Sequence, residues 1–311
     1  MNRVIITGPT GAVGISLIEE LISKKIYVTA ICRQGSKRIS NIPRSKYVNI
    51  IECNMEEYKK LDYVLYDKYD VFFHLAWDGT YGISRNDLNL QLNNVKYTLD
   101  AVELAHKLGC KVFVGAGSQS ECGHIEGIIS SSTPCNPDNG YGIAKYSSCL
   151  MSRIKCKELG IRHNWCRIIS LYGPYDGEHT MVMSLIKKLL NGERVKCTKG
   201  DQIWDYIYSK DAAKAFRLVA EKGKEDEIYC IGSGNSRYLR DYILDIKKHI
   251  NTNAEIGFGE IAYYENQVMH LETDISNLKL DVDFEPRYSF EKGITETIEW
   301  YKNYIKNKTI E

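Results

Sequence analysis

Short apolar runs recur along the first half of the chain at 4–7, 27–32, 48–52, 71–76, 111–116 and 163–169. Each has the length of a buried strand. The segments between them, notably 14–23, 88–108 and 141–159, place apolar residues every three or four positions, the period of a helix with one buried face. Strand–helix alternation at this spacing requires right-handed crossovers, so the expected fold is α/β, a doubly wound parallel sheet covered by helices on both sides. Beyond Tyr172 the regularity falls. Residues 205–208 and 227–231 still read as strands, and 180–190, 238–250 and 291–304 as helices. The expected organisation is a first domain over 1–172, joined by late sheet elements from 205–233, and a smaller, interleaved C-terminal domain made of 173–204 and 234–311.

Composition narrows the function classes more than the fold. The 41 basic and 40 acidic residues of this 311-residue chain nearly cancel, so neither a nucleic acid nor a membrane surface is an expected partner. No apolar run is long enough to span a bilayer, and no signal peptide precedes the first strand, which places the expected location in the cytoplasm. The 10 cysteines are scattered, without C-x-x-C pairs or metal-ligand spacing, and read as reduced structural thiols with no metal site.

The first strand runs into Gly8-x-x-Gly11-x-x-Gly14 and then a helix. Glycines here permit a tight turn, close approach of backbone to a pyrophosphate and packing of helix on strand, while the helix N-terminus offers free N–H groups to the anion. A strand–loop–helix of this kind at the start of a parallel sheet marks a Rossmann-type, dinucleotide-binding fold. After the second strand comes Cys32-Arg33-Gln34-Gly35-Ser36-Lys37-Arg38, with no carboxylate for the adenosine ribose. Arg33 and Arg38 suit a 2′-phosphate, so NADP(H) is the preferred cofactor, with NAD(H) left open.

Tyr141 and Lys145 lie four apart and share one helical face. A phenol is too weak an acid for carbonyl chemistry near neutrality unless a cation favours its phenolate, and an ammonium one turn away supplies that field. Ser118 stands upstream at the end of an apolar strand. This conjunction, with the glycine loop, points to a carbonyl oxidoreductase far more specifically than any of its parts.

The set Thr7 to Gly14, His74-Leu75-Ala76, Ser118, Tyr141 with Lys145, and Tyr172-Gly173-Pro174 resembles the extended short-chain dehydrogenase/reductases, the nucleotide-sugar epimerase/dehydratase family. The resemblance implies a catalytic triad of Ser118, Tyr141 and Lys145, a nucleotide-sugar substrate and a homodimer built on the helices at 88–108 and 141–159. It implies cofactor contacts from Gly8, Thr10, Gly11, Ala12, Val13 and Gly14 in the loop. Arg33, Arg38, Asn54, Met55, Leu75, Ala76, Trp77 and Asn93 complete that set, with Tyr141 and Lys145. Substrate contacts are expected from Trp77, Gln119, Ser120, Ser170, His179, Trp204 and Asp205.

The 4,6-dehydratases of the family carry an acid within two residues of the catalytic Ser or Thr. Here Gln119 and Ser120 occupy those positions, and Glu121, if the strand continued, would turn to the other face. Dehydration is therefore disfavoured. A 4-ketoreductase and a 4-epimerase remain, with a non-catalytic cofactor-binding sensor as a third reading that the intact triad argues against. His74-Leu75-Ala76-Trp77, Gly117 to Glu121 and Gln202 to Tyr206 also resemble the narrower CDP-abequose synthase group of 4-ketoreductases. Trp204 replaces the family's common diphosphate-binding arginine, so the nucleotide end is expected to be held differently. Arg167 and His74 read as structural.

Overall fold

The computed structural model describes residues 1–311 except 64, 66, 251, 252, 266 and 309–311. Seven strands form one parallel sheet: β1 Arg3–Thr7, β2 Tyr27–Cys32, β3 Val48–Glu52, β4 Val71–His74, β5 Val112–Ser118, β6 Arg162–Ile168 and β7 Ile228–Ile231. Their order is β7-β6-β5-β4-β1-β2-β3, so the chain reverses direction of winding between β1 and β4. In such sheets a crevice opens at the carboxyl ends of the strands at this switch point. Here it lies between the ends of β1 and β4, where Thr7 pairs with His74.

Helices α1 Ala12–Ser23 and α5 Ser209–Lys222 cover one face of the sheet. Their Ile15, Ile18, Leu21, Phe216 and Val219 pack on Val4, Ile6, Val28 and Phe73. On the other face lie α2 Leu88–Lys107 and α3 Gly140–Glu158. Ala101, Val102, Ala105 and Cys156 there meet Ile5, Phe72 and Phe113. Successive strand residues thus point to opposite faces and both are apolar, as a doubly covered parallel sheet requires.

The remaining helices, α4 Met181–Leu190, α6 Leu239–Ile250, α7 Ser276–Val282 and α8 Phe290–Lys308, follow in the second half. Met183, Ile186, Ile243, Ile246, Ile294 and Ile298 from α4, α6 and α8 make a separate core with Tyr172 and Tyr208. A small second sheet joins Arg237–Tyr238, Ile203–Trp204, His270–Thr273 and Gly127–Ile129. The strand expected over 205–208 is broken at Asp205. Only Ile207–Tyr208 pairs there, with Leu171–Tyr172, because the buried Asp205 carboxylate turns to the backbone N–H groups of Ser233 and Gly234. All 10 cysteines are free thiols. Among the described residues no helix is long and apolar enough to cross a membrane, and no cluster of His, Cys, Asp or Glu would hold a metal.

Candidate active site

The glycine loop is built by close packing. Gly8 has φ +66°, and a Cβ there would lie 2.6 Å from the backbone nitrogen of Ala76. A Cβ on Gly14 would lie 2.6 Å from the Gly8 carbonyl oxygen, so α1 presses directly on the loop. Gly11 is the N-cap of α1 and offers no side-chain bond, leaving the first-turn N–H groups to whatever faces them. Thr7 fixes the opposite wall. Its hydroxyl accepts from Leu75 N and Ala76 N and bonds His74 Nδ1 at 2.9 Å, while His74 Nε2 meets Thr98 Oγ1 at 3.2 Å. Burial pushes the His74 imidazolium down to about 3, so the ring is neutral and structural, as expected.

A cavity of about 480 Å³ opens here, lined among others by Gly8, Thr10, Arg33, Arg38, Asn54, Met55, Ala76 and Trp77. These eight expected cofactor contacts are brought together. Ala12 and Val13 follow in the first turn of α1, and Leu75 adjoins Ala76. Asn54 bridges the loops after β2 and β3, accepting from Gln34 N and donating to Gln34 Oε1. Arg33 is exposed, 3.9 Å from Asp78. Arg38 donates to the Tyr175 carbonyl at 2.9 Å and so ties this rim to the second half of the chain. Asn93 departs from expectation: it is exposed, and its neighbour Asn94 is buried, accepting from Asp78 N and donating to Asp78 O. The buried stripe of α2 runs through 91, 94, 95 and 98, a period that turns 93 outward. The cradle, the cationic rim and the uncapped helix together fit a dinucleotide.

Ser118 ends β5 and begins a tight turn. Its Oγ accepts from Ser120 N, and Glu121 Oε1 accepts from Ser118 N at 2.7 Å, a reciprocal capping box. The strand therefore stops at Ser118, and Glu121 goes underneath the site instead of across the sheet. It is fully buried, accepting from Trp165 Nε1 at 2.9 Å and pairing Arg167 Nε at 3.0 Å. Arg167 is structural, as the sequence indicated.

Helix α3 is started by Asn139, whose Oδ1 accepts from Gly142 N. A Cβ on Gly142 would lie 2.2 Å from the Ser120 carbonyl, so glycine lets the first turn of α3 sit against the Ser118 turn. The Ser118 side chain stands near enough to the Tyr141 phenol to favour its ionised form. Lys145 donates to the Ala116 carbonyl at 2.7 Å and holds its ammonium 3.7 Å from the Trp77 ring centroid. Trp77 in turn stands edge-on to Tyr141 and donates to Gln91 Oε1. Burial pushes the Lys145 ammonium down to about 7, against the opposing charge of Glu121. Burial also pushes the Tyr141 phenol up, while the Ser118 side chain and the Arg85 charge pull it down.

Arg85 joins the site without any signal in the sequence. It donates to Ser120 Oγ at 2.7 Å and lies 4.5 Å from the Tyr141 ring centroid. No short-range pattern announces it, because the contact is made across the tertiary fold. Among the expected substrate residues, Trp77 stands edge-on to Tyr141, the Ser120 carbonyl meets the first turn of α3 at Gly142, and Gln119 lies beside Ser120 in the same short turn. Trp204 donates to Ser170 Oγ at 2.7 Å. Asp205 is fully buried and taken up by the 233–234 loop, which leaves it a structural part. His179 stacks on Tyr81 at 3.6 Å and lines a second cavity of about 170 Å³ with Lys188 and Lys196.

Residues 4–232 match the model of the NAD dependent epimerase/dehydratase family. The chain belongs to that family. It is an NAD(P)-dependent enzyme by that membership. It is 27% identical to a CDP-abequose synthase of Salmonella typhimurium over 95% of this chain and 97% of that protein. It is 29% identical to a dTDP-6-deoxy-L-talose 4-dehydrogenase (NAD(+)) of Aggregatibacter actinomycetemcomitans, over 76% of this chain and 87% of the other. The likeness to a dTDP-glucose 4,6-dehydratase of Shigella flexneri is 27% over 58% of this chain and spans only 53% of that enzyme. In fold, the chain matches the UDP-glucose 4-epimerase of Thermotoga maritima solved with UDP-glucose, with a TM-score of 0.85 at 22% identity over 97% of this chain and 99% of that one.

Proposed function

We propose that this family member uses NADPH to reduce the 4-keto group of a nucleotide-linked deoxysugar, CDP-linked by its likeness to the abequose synthase, in deoxysugar or surface polysaccharide biosynthesis. One observation carries the reading. Trp77 lines the cavity above the glycine loop and also stands against both Lys145 and Tyr141, which supports a cofactor in that cavity reaching the Ser118–Tyr141 pair. When bound, the nicotinamide supplies the hydride. Tyr141 gives its proton to the oxygen at C4, Ser118 donates a hydrogen bond to the same developing oxyanion, and Lys145 helps to hold the cofactor ribose and the proton balance of the phenol. Trp77, Gln119 and Ser120 border the sugar. The cavity lined by His179, Lys188 and Lys196 offers two cations for a diphosphate that Trp204 cannot pair.

Reduction is favoured over dehydration because Gln119 and Ser120 carry no acid and Glu121 is sealed in its pair with Arg167. NADPH is favoured over NAD by Arg33 and Arg38 on the cavity rim and by the absence of a carboxylate from the end of β2. The working unit is a cytoplasmic homodimer joined through α2 and α3, whose outer faces expose Leu88, Leu92, Ile143, Met151 and Ile154. The test is direct. Added NADPH is oxidised stoichiometrically by a CDP-4-keto-3,6-dideoxy sugar, and Tyr141→Phe lowers turnover roughly 100-fold or more while still binding NADPH. Tightly held NAD in the purified protein, with no net consumption of NADPH, would make it a 4-epimerase instead.

A further inference from the structure

We propose that Arg85 is a second cation tuning Tyr141, seated on the face of the phenol so that it stabilises the phenolate left when the proton is given up. The inference rests on the reductase reading, in which Tyr141 is the acid. Its basis is positional. The Arg85 guanidinium carbon lies 4.5 Å from the Tyr141 ring centroid, whereas the Lys145 ammonium lies 5.9 Å away. Lys145 is also engaged elsewhere, by the Ala116 carbonyl and the Trp77 ring. A cation over a neutral phenol gains only the ring quadrupole, but over a phenolate it gains a full charge, so Arg85 favours the ionised form.

The arginine is held in place. Its Nη2 donates to Ser120 Oγ, and Ser120 N donates to Ser118 Oγ, so cation, hydroxyl and phenol share one frame. The short turn Gly82–Asn86 that carries Arg85 is pinned on both sides. Gln91 Nε2 donates to the carbonyls of Gly79 and Ser84, and Asn86 Oδ1 accepts from Gly140 N, next to Tyr141 itself. Among the described residues, the charged groups around the phenol are Arg85 from this turn, Glu121 from the turn after β5 and Lys145 one turn along α3. Glu121 opposes ionisation of the phenol but is neutralised by Arg167. Ser118 and Trp77 complete the surroundings without charge.

The experiment compares Arg85→Met and Arg85→Lys with the parent enzyme. It uses the pH dependence of kcat, the KM for the keto sugar, and an ultraviolet difference titration of each protein against its Tyr141→Phe counterpart. Arg85→Met is expected to move the Tyr141 ionisation up by about one pH unit and to lower kcat near neutrality about tenfold, with KM little changed. Arg85→Lys is expected to recover most of the shift. Ser120→Ala, which frees the guanidinium, should move the titration the same way by less. An unmoved titration in Arg85→Met overturns the proposal, and a rise in KM alone would make Arg85 a substrate anchor. If no keto sugar is turned over, the reductase reading fails, while the difference titration still decides the role of Arg85.

Discussion

Lys145 shows how a single residue can be wanted for chemistry and unwelcome for stability. Its ammonium is buried, with one carbonyl and one indole for company. Its pKa falls from 10.5 to about 7 in the folded chain. Below pH 7 both folded and unfolded chains carry the proton, and the full desolvation cost falls on the folded one. Between about 7 and 10.5 the folded chain has already released it, so the cost is relieved as pH rises. Lys145→Met, measured without cofactor, should therefore unfold later than the parent at pH 6, by a few kcal/mol on the order of the shift, and lose that advantage toward pH 10. Urea denaturation at the two pH values checks this. Turnover should fall by orders of magnitude in the same variant, the usual trade of stability against a charged site.

At the scale of elements, the sequence disclosed what is local and concealed what is tertiary. The glycine loop between β1 and α1 and the four-residue spacing of Tyr141 and Lys145 are contiguous, so their patterns survive without knowledge of the fold. Glu121 is misplaced by period-two alternation, which assumes that β5 continues, whereas the capping box ends it at Ser118. Asn93 and Asn94 differ by a single helical step that composition does not resolve, and Arg85 meets Ser120 across 35 residues of chain. The start of α3 is the element on which the site depends most. Gly142 there has no room for a side chain beside the Ser120 carbonyl. Gly142→Ala should push the first turn of α3 from the Ser118 turn and separate Tyr141 from Ser118. The expected result is a loss of kcat of roughly 100-fold from misplacement of the acid, with NADPH binding within a few-fold of the parent. Retained kcat would mean that the two turns move together.

At the scale of the molecule, the outer faces of two neighbouring helices carry exposed apolar side chains. Helices α2 and α3 pack side by side on the sheet, and their outer faces carry Leu88, Leu92, Ile143, Leu150, Met151 and Ile154, all exposed. On α3 the positions 143, 150, 151 and 154 fall on one stripe at the spacing of a helix–helix seam. A contiguous apolar face of this kind marks an interface more often than free surface. Two copies related by a twofold axis would set α2 and α3 against their counterparts, each buried Leu or Ile contributing about 1.5–3 kcal/mol. Ile154→Glu places a charge in the seam of both copies at once, so the cost is doubled by symmetry. Sedimentation velocity should show the parent as a dimer and this variant as a monomer at the same concentration. Ser118, Tyr141, Lys145 and the glycine loop all come from one chain, so the monomer should still bind NADPH. A variant that stays dimeric would place the interface on another face.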